Sequence, residues 1–256
     1  MRVGVVKLAS CSGCVLEVVR ALTEAVGHLR GVEVAACSLV LGESRLEGFF
    51  DLVLVEGSAS TERHVKLLKS LRERAGLLVA LGSCAIEGGV QALSNGRVEE
   101  AKAAVYPEPG LVESVGGFTP VTEVVSVDLA VPGCPVNYEA VKSLLLKLSR
   151  GGLPVEIHES VCAECKRRGL DCLVVSGRAP CLGPLTRSGC GALCPSNNRG
   201  CYGCYGLKTG DLGRANVGYY LERLAGAGWP RGRLALYLKA FSKRTLGAAG
   251  LGEGLE

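Results

Sequence analysis

Eight of the chain's thirteen cysteines fall in one stretch, spaced C-x2-C-x6-C-x8-C-x8-C-x3-C-x6-C-x2-C through Cys162, Cys165, Cys172, Cys181, Cys190, Cys194, Cys201 and Cys204. Eight thiols make two sets of four. Four thiolates are what a cubane iron–sulfur cluster requires, and equally what a closed zinc site requires. Glycine and proline fill the intervals, so the backbone can turn sharply and approach an inorganic core. Such a stretch buries little aliphatic side chain, and metal ligation is expected to supply much of its folding energy. A disulfide-stapled loop is the alternative. Against it, Met1 leads straight into a strand pattern, with no secretory cleavage site and no twin-arginine motif. The longest apolar runs, Leu77–Ile86 and Leu129–Val136, fall short of the ~20 residues of a membrane span. The expectation is a cytoplasmic protein, in which an odd number of cysteines points to metal rather than disulfides.

Four other cysteines lie far apart in sequence, yet the elements around them predict that they meet. Val3–Lys7, Val32–Val40, 51–55, Leu77–Leu81 and Val127–Val131 read as strands. Helices follow with apolar stripes: Val15, Val18, Val19, Leu22 and Val26; then Val65, Leu67, Leu68 and Leu71 behind a Thr61 cap; then Val141, Leu144, Leu145 and Leu148 behind an Asn137 cap. Alternating strands and helices predict an α/β fold, a doubly wound parallel sheet with helices on both faces. Cys11, Cys14, Cys84 and Cys134 each sit just past the C-terminal end of a strand. In an open parallel sheet those ends share one edge, where ligands bind. A thioredoxin-like redox pair is the other reading of Cys11 and Cys14. Cys37 lies within a strand and reads as a small buried apolar residue.

The 256 residues accommodate one large domain or two modest ones. Gly151-Gly152 and Pro154 mark a boundary, giving a sheet domain over 1–150 and a small irregular domain over 151–256. The segment from about 87 to 120 has no assignable pattern. Helical runs over Asp211–Ala227 and Arg231–Arg244 could meet a partner chain or simply cover the cysteine loops. The net charge of +4 is spread without a basic stripe, which gives no footprint for nucleic acid. His28, His64 and His158 match no ligand position. Three four-cysteine sites in one small chain point to an electron wire. The other class of reading is a zinc-stabilised interaction module.

Cys11-x2-Cys14, Gly82-x-Cys84 and Gly133-Cys134-Pro135, followed by Cys181-Leu-Gly-Pro-Leu-Thr-Arg-Ser-Gly-Cys190 and Cys201-x2-Cys204, resemble the small subunit of nickel–iron hydrogenases. The likeness is strongest to the cytoplasmic multimeric branch: the sulfhydrogenase delta subunit and the small subunits of coenzyme F420-reducing and non-F420-reducing hydrogenases. The resemblance implies a flavodoxin-like first domain that binds no flavin, and three 4Fe-4S clusters. Cys11, Cys14, Cys84 and Cys134 would hold the proximal one, Cys162, Cys165, Cys172 and Cys181 the distal one, and Cys190, Cys194, Cys201 and Cys204 the medial one. It implies a separate large subunit carrying the nickel–iron site, since no nickel ligand set is found here. It also implies a further subunit that accepts electrons, of flavin and NAD(P), F420, or sulfur- or disulfide-reducing type. Relatives place an acidic residue close after the C-x2-C; here Val15 and Leu16 intervene before Glu17, which puts a proton-relay role for Glu17 in question. Glu56 could line the same site; a solvated or capping carboxylate is the plainer reading of it. The 20 kDa-type subunit of complex I-like quinone oxidoreductases is the neighbouring alternative, and the eight downstream cysteines weigh against it.

Overall fold

A computed structural model of the chain describes residues 1–29, 31–37, 39–41, 46–154, 159–208 and 214–248. The chain divides into two compact units, Met1–Pro154 and Val155–Glu256.

The first unit is built on five strands: β1 (Arg2–Lys7), β2 (Glu33–Cys37), β3 (Phe50–Glu56), β4 (Ala75–Leu81) and β5 (Leu129–Val131). They lie in the order β2-β1-β3-β4-β5, and every pairing is parallel. That order is the flavodoxin-like one, with its switch point between β1 and β3. A parallel sheet covered on both faces needs strands that are apolar on both sides. β3 and β4 satisfy this, with Leu52 to Val55 and Leu78 to Leu81 each 0% exposed.

The helices among the unit's described residues are α1 (Gly13–Ala25), α2 (Glu62–Glu73), α3 (Gly82–Glu87), α4 (Val98–Val105), α5 (Val121–Val124) and α6 (Tyr138–Leu148). One core layer packs α1 and α6 on the sheet through Val15, Val18, Val141 and Leu145. The opposite layer packs α2 through Leu68 and Leu71, with Ala85 and Ile86 of α3. Both expected caps are present. The Thr61 side chain accepts from the His64 N–H, and that of Asn137 from the Glu139 N–H. Val26 departs from its expected place on the apolar stripe: α1 ends at Ala25, and Val26 is 75% exposed at its C-cap. β5 is shorter than expected, because the Asp128 carboxylate turns to accept the Leu78 N–H just before the ladder begins. The unassigned segment consists of short turns at Val90–Ser94 and Pro109–Leu111 around α4, tied back through paired backbone bonds between Ala59 and Thr119.

The second unit contains α7 (Val161–Arg167), α8 (Leu193–Ser196), α9 (Arg214–Gly226) and α10 (Arg231–Ala248), joined by the cysteine-bearing loops. The expected start of the first tail helix, Asp211–Gly213, lies outside the described residues. Val217, Leu221 and Leu224 of α9 and Leu234 and Leu238 of α10 bury against Leu182, Leu185 and Leu207. Of the two roles open to the tail helices, covering the cysteine loops is therefore the one their apolar faces perform.

Candidate metal centres

At the C-terminal edge of the sheet, Cys11 lies in the loop after β1 and Cys14 in the first turn of α1. Cys84 is on α3 and Cys134 follows β5. The four are electrostatically coupled. Cys14 feels Cys84 and Cys134, Cys84 feels Cys11, and Cys134 feels both Cys84 and Cys11. Burial pushes the Cys14 thiol up to about 12 and that of Cys134 to about 11, with the neighbouring thiols adding to both. Two glycines make the approach possible. Gly82 has φ +78, and a Cβ there would stand 2.5 Å from Cys14 Sγ. Gly89 has φ +75, and a Cβ there would stand 2.6 Å from Cys84 Sγ.

Glu56, at the end of β3, is 1% exposed. Its carboxylate accepts the N–H groups of Cys14 (3.4 Å) and Val15 (2.8 Å). Of the solvated and capping roles expected for it, the structure shows the capping one: it fills the orphan donors at the start of α1, where the helix dipole favours an anion. Gln91 comes from the segment without a readable pattern. Its amide donates to Ala9 O (3.2 Å) and Ser58 Oγ (3.0 Å), and its Oε1 accepts from the Cys84 thiol at 3.7 Å. It is the chain's one glutamine, but nothing in its spacing marks it. Cys37 is 2% exposed within the first core layer. Glu17 is half-buried on α1, and His28 is exposed beyond its end. His64 is half-buried, its Nδ1 accepting the Ser60 N–H at 3.3 Å, and burial lowers its pKa. His158 lies outside the described residues.

In the second unit, Cys162, Cys165, Cys172 and Cys181 line one cavity, walled otherwise mostly by apolar side chains such as Val161, with Asp171 and Tyr220. Cys162 and Cys165 stand one turn apart on α7, which places both sulfurs on one face. Burial pushes the Cys162 thiol up to about 11, and Cys181, Cys165 and Cys172 add to it in that order. Tyr220 arrives from α9 and donates its hydroxyl to Cys181 O at 2.7 Å.

The remaining four thiols are brought together less completely. Cys190 couples to Cys194, and Cys201 to Cys204. Cys194 and Cys201 each reach Cys181. The Cys201 N–H donates to Cys181 Sγ at 3.2 Å, so Cys181 stands where the two sets meet. Cys201 is pushed up to about 12 by burial, and its sulfur accepts the Gly203 N–H at 3.4 Å.

All thirteen cysteines are free thiols. Among the described residues, no three of His, Cys, Asp or Glu stand closely enough to hold a single metal ion. A cubane takes four thiolates, one on each of its four irons. An all-sulfur donor set, backed by glycine backbone on one edge and by an apolar cavity in the other unit, fits such a core.

A parallel sheet with thiols gathered at its binding edge, followed by a unit built around cysteines, defines a class of oxidoreductase subunits. The chain belongs to the family described as NADH ubiquinone oxidoreductase, 20 Kd subunit, whose family model matches residues 11–148. Within that family it is a NiFe hydrogenase subunit. It is 37% identical over 209 residues to the delta subunit of sulfhydrogenase 2 of Pyrococcus furiosus, covering 80% of this chain and 86% of that protein. It is 30% identical over 254 residues to a vhu subunit of the F420-non-reducing hydrogenase of Methanocaldococcus jannaschii, covering 85% of this chain and 87% of the relative. Among solved structures, a chain of an NAD+-reducing NiFe-hydrogenase in the H2-reduced state aligns with a TM-score of 0.53 at 28% identity, over 61% of this chain and 95% of that one. A chain of the Ni-Fe-Se hydrogenase from Desulfomicrobium baculatum, at 18% identity and TM-score 0.56, covers 82% of this chain and 96% of its own, and shares the fold.

Proposed function

We propose that this chain is the electron-transfer subunit of its hydrogenase and holds three 4Fe-4S clusters. The observation that carries the reading is the meeting of Cys11, Cys14, Cys84 and Cys134 at one sheet edge, from separate turns of the chain. These four would hold the proximal cluster. Cys162, Cys165, Cys172 and Cys181, which share a cavity, would hold the distal one, and Cys190, Cys194, Cys201 and Cys204 the medial one. When bound, such clusters each carry one electron, and three in series connect a hydrogen-splitting site to a remote acceptor. The chain's own residues prepare for them. Glu56 pins the first turn of α1 and so fixes Cys14. Gln91 holds the Cys84 thiol against the Ala9 and Ser58 loops.

The partners follow from the relatives. We place the nickel–iron centre in a large subunit and the electron exit in a further subunit, of flavin and NAD(P), F420, or sulfur- or disulfide-reducing type. The relatives span sulfhydrogenase, F420-non-reducing and NAD-reducing assemblies. No helix among the described residues is long and apolar enough to cross a membrane. Thirteen free thiols fit the reducing cytoplasm, which is where we place the protein.

Anaerobic purification tests this directly. The protein should be brown, with about twelve iron and about twelve labile sulfide per chain when three cubanes are filled. A colourless chain with stoichiometric zinc would sink the proposal. The family match, confined to residues 11–148, favours a second reading in which only the first unit's four thiols hold a cluster. About four iron per chain would establish that reading instead.

A further inference from the structure

We infer that Glu164 is a positioning residue that fastens the Cys190 loop to the helix bearing Cys162 and Cys165, and that its charge tunes the site at Cys190. This rests on the reading of these cysteines as cluster ligands.

The loop around Cys190 has an unusual backbone. Gly189 has φ +125, Gly191 has φ +65, and Ala192, which is not a glycine, has φ +53. Residues of positive φ in close succession turn their N–H groups inward and form a concavity that binds an anion. The anion here is supplied by the chain itself. Glu164 Oε1 accepts the Gly189 N–H at 2.9 Å, and Oε2 accepts the Ala192 N–H at 3.2 Å. The same Oε2 accepts from the Cys190 thiol at 3.8 Å. Four residues on, at the end of α7, Arg168 Nη1 donates to Gly191 O at 2.5 Å. An acid and a base one helical turn apart thus grip the loop by its N–H and its carbonyl groups. Glu164 also lies between Cys162 and Cys165 in sequence. One short helix therefore carries two thiols assigned to one set and the clamp for the first thiol of the other.

The position of Oε2 has an electronic consequence. A carboxylate beside a ligating sulfur places negative charge where a reduced iron–sulfur core would add more, and so favours the oxidised form. It also shares the Ala192 N–H, which donates to Cys190 Sγ as well; hydrogen bonds to sulfur raise the potential. Removing the charge while keeping the side chain's shape should act in one direction only, upward.

The test uses the full-length chain, purified anaerobically with the subunits that accompany it. Iron and sulfide are counted, and cluster midpoints are followed by EPR during redox titration. In Glu164→Gln, the amide oxygen still accepts one loop N–H. Iron and sulfide should match the unsubstituted protein, one midpoint should move to higher potential, and the others should stay in place. In Glu164→Ala, both loop contacts are lost, and the chain should lose about one third of its iron. The inference is overturned if every midpoint of Glu164→Gln coincides with that of the unsubstituted protein, or if Glu164→Ala retains all of its iron. An unsubstituted protein without iron overturns the cluster reading itself, and is recognised before any variant is made.

Discussion

The two units solve the same problem, holding thiols apart yet facing inward, with opposite resources. In the first, the sheet and its two apolar layers form a core that owes nothing to most of the cysteines at its edge. Leu52, Leu54, Leu78 and Leu81 are completely buried with no help from a ligand at that edge. In the second, one of the cores is made from the thiols themselves: Val161, Ala192 and Cys201 at its centre, with Cys165, Cys181 and Cys190 packed against it. The other core, under α9 and α10, supplies the aliphatic burial that the loops lack. The difference teaches that similar cysteine quartets can be ornaments on a finished fold or part of its foundation.

Stripping the metal should break the symmetry most. Apo protein, prepared by anaerobic chelation, is expected to lose protection over 159–208 in limited proteolysis while a fragment spanning 1–154 survives. Equal survival of both parts would remove the contrast. Next in size, Leu54→Ala should cost about 2–5 kcal/mol in chemical denaturation of the first unit, as buried leucine deletions do. It should leave the iron content of the second unit unchanged. Gly82→Ala sharpens the contrast from the other side. Its φ of +78 and its close approach to Cys14 predict about 1–3 kcal/mol of strain. The proximal cluster should be lost as well, read as a drop of about one third in iron.

The smallest effect concerns acid stability of the sheet. Burial would raise the Asp128 pKa, but the Leu78 N–H and the Arg72 guanidinium outweigh it and hold the carboxyl below its ordinary value of 3.8. A carboxyl lowered on folding stabilises above its unfolded pKa, and that contribution fades as pH falls through the folded value. Asp128→Asn should therefore weaken the first unit at neutral pH by less than about 1 kcal/mol, since the pair is partly exposed. The gap to the unsubstituted protein should close below the ordinary carboxylate range. A gap that widens in acid would show the sign to be wrong. Reloading of the first unit in apo protein should run the other way. Burial keeps Cys14 protonated up to about 12, so cluster uptake there releases protons and improves as pH rises. This can be followed by absorbance during anaerobic reconstitution at several pH values.

What the amino-acid order determined by itself is what repeats locally. Strands of branched apolar residues, helices with a 3.6-residue stripe, the Thr61 and Asn137 caps, and cysteines placed after strand ends all follow from near-neighbour chemistry, and the parallel topology then delivers Cys11, Cys14, Cys84 and Cys134 to one edge. What only the tertiary structure decided are contacts between single side chains and distant backbone. Glu56 reaches the N–H groups of Cys14 and Val15, Gln91 braces Cys84, Tyr220 closes on Cys181, and Glu164 binds the loop at Cys190. Such contacts join residues from 7 to 42 positions apart. They leave no periodic trace, because a side chain placed against a single backbone or thiol group needs no partner at a fixed spacing. The thiols announce themselves by number and interval; the groups that hold them in place become visible only once the chain has folded around them.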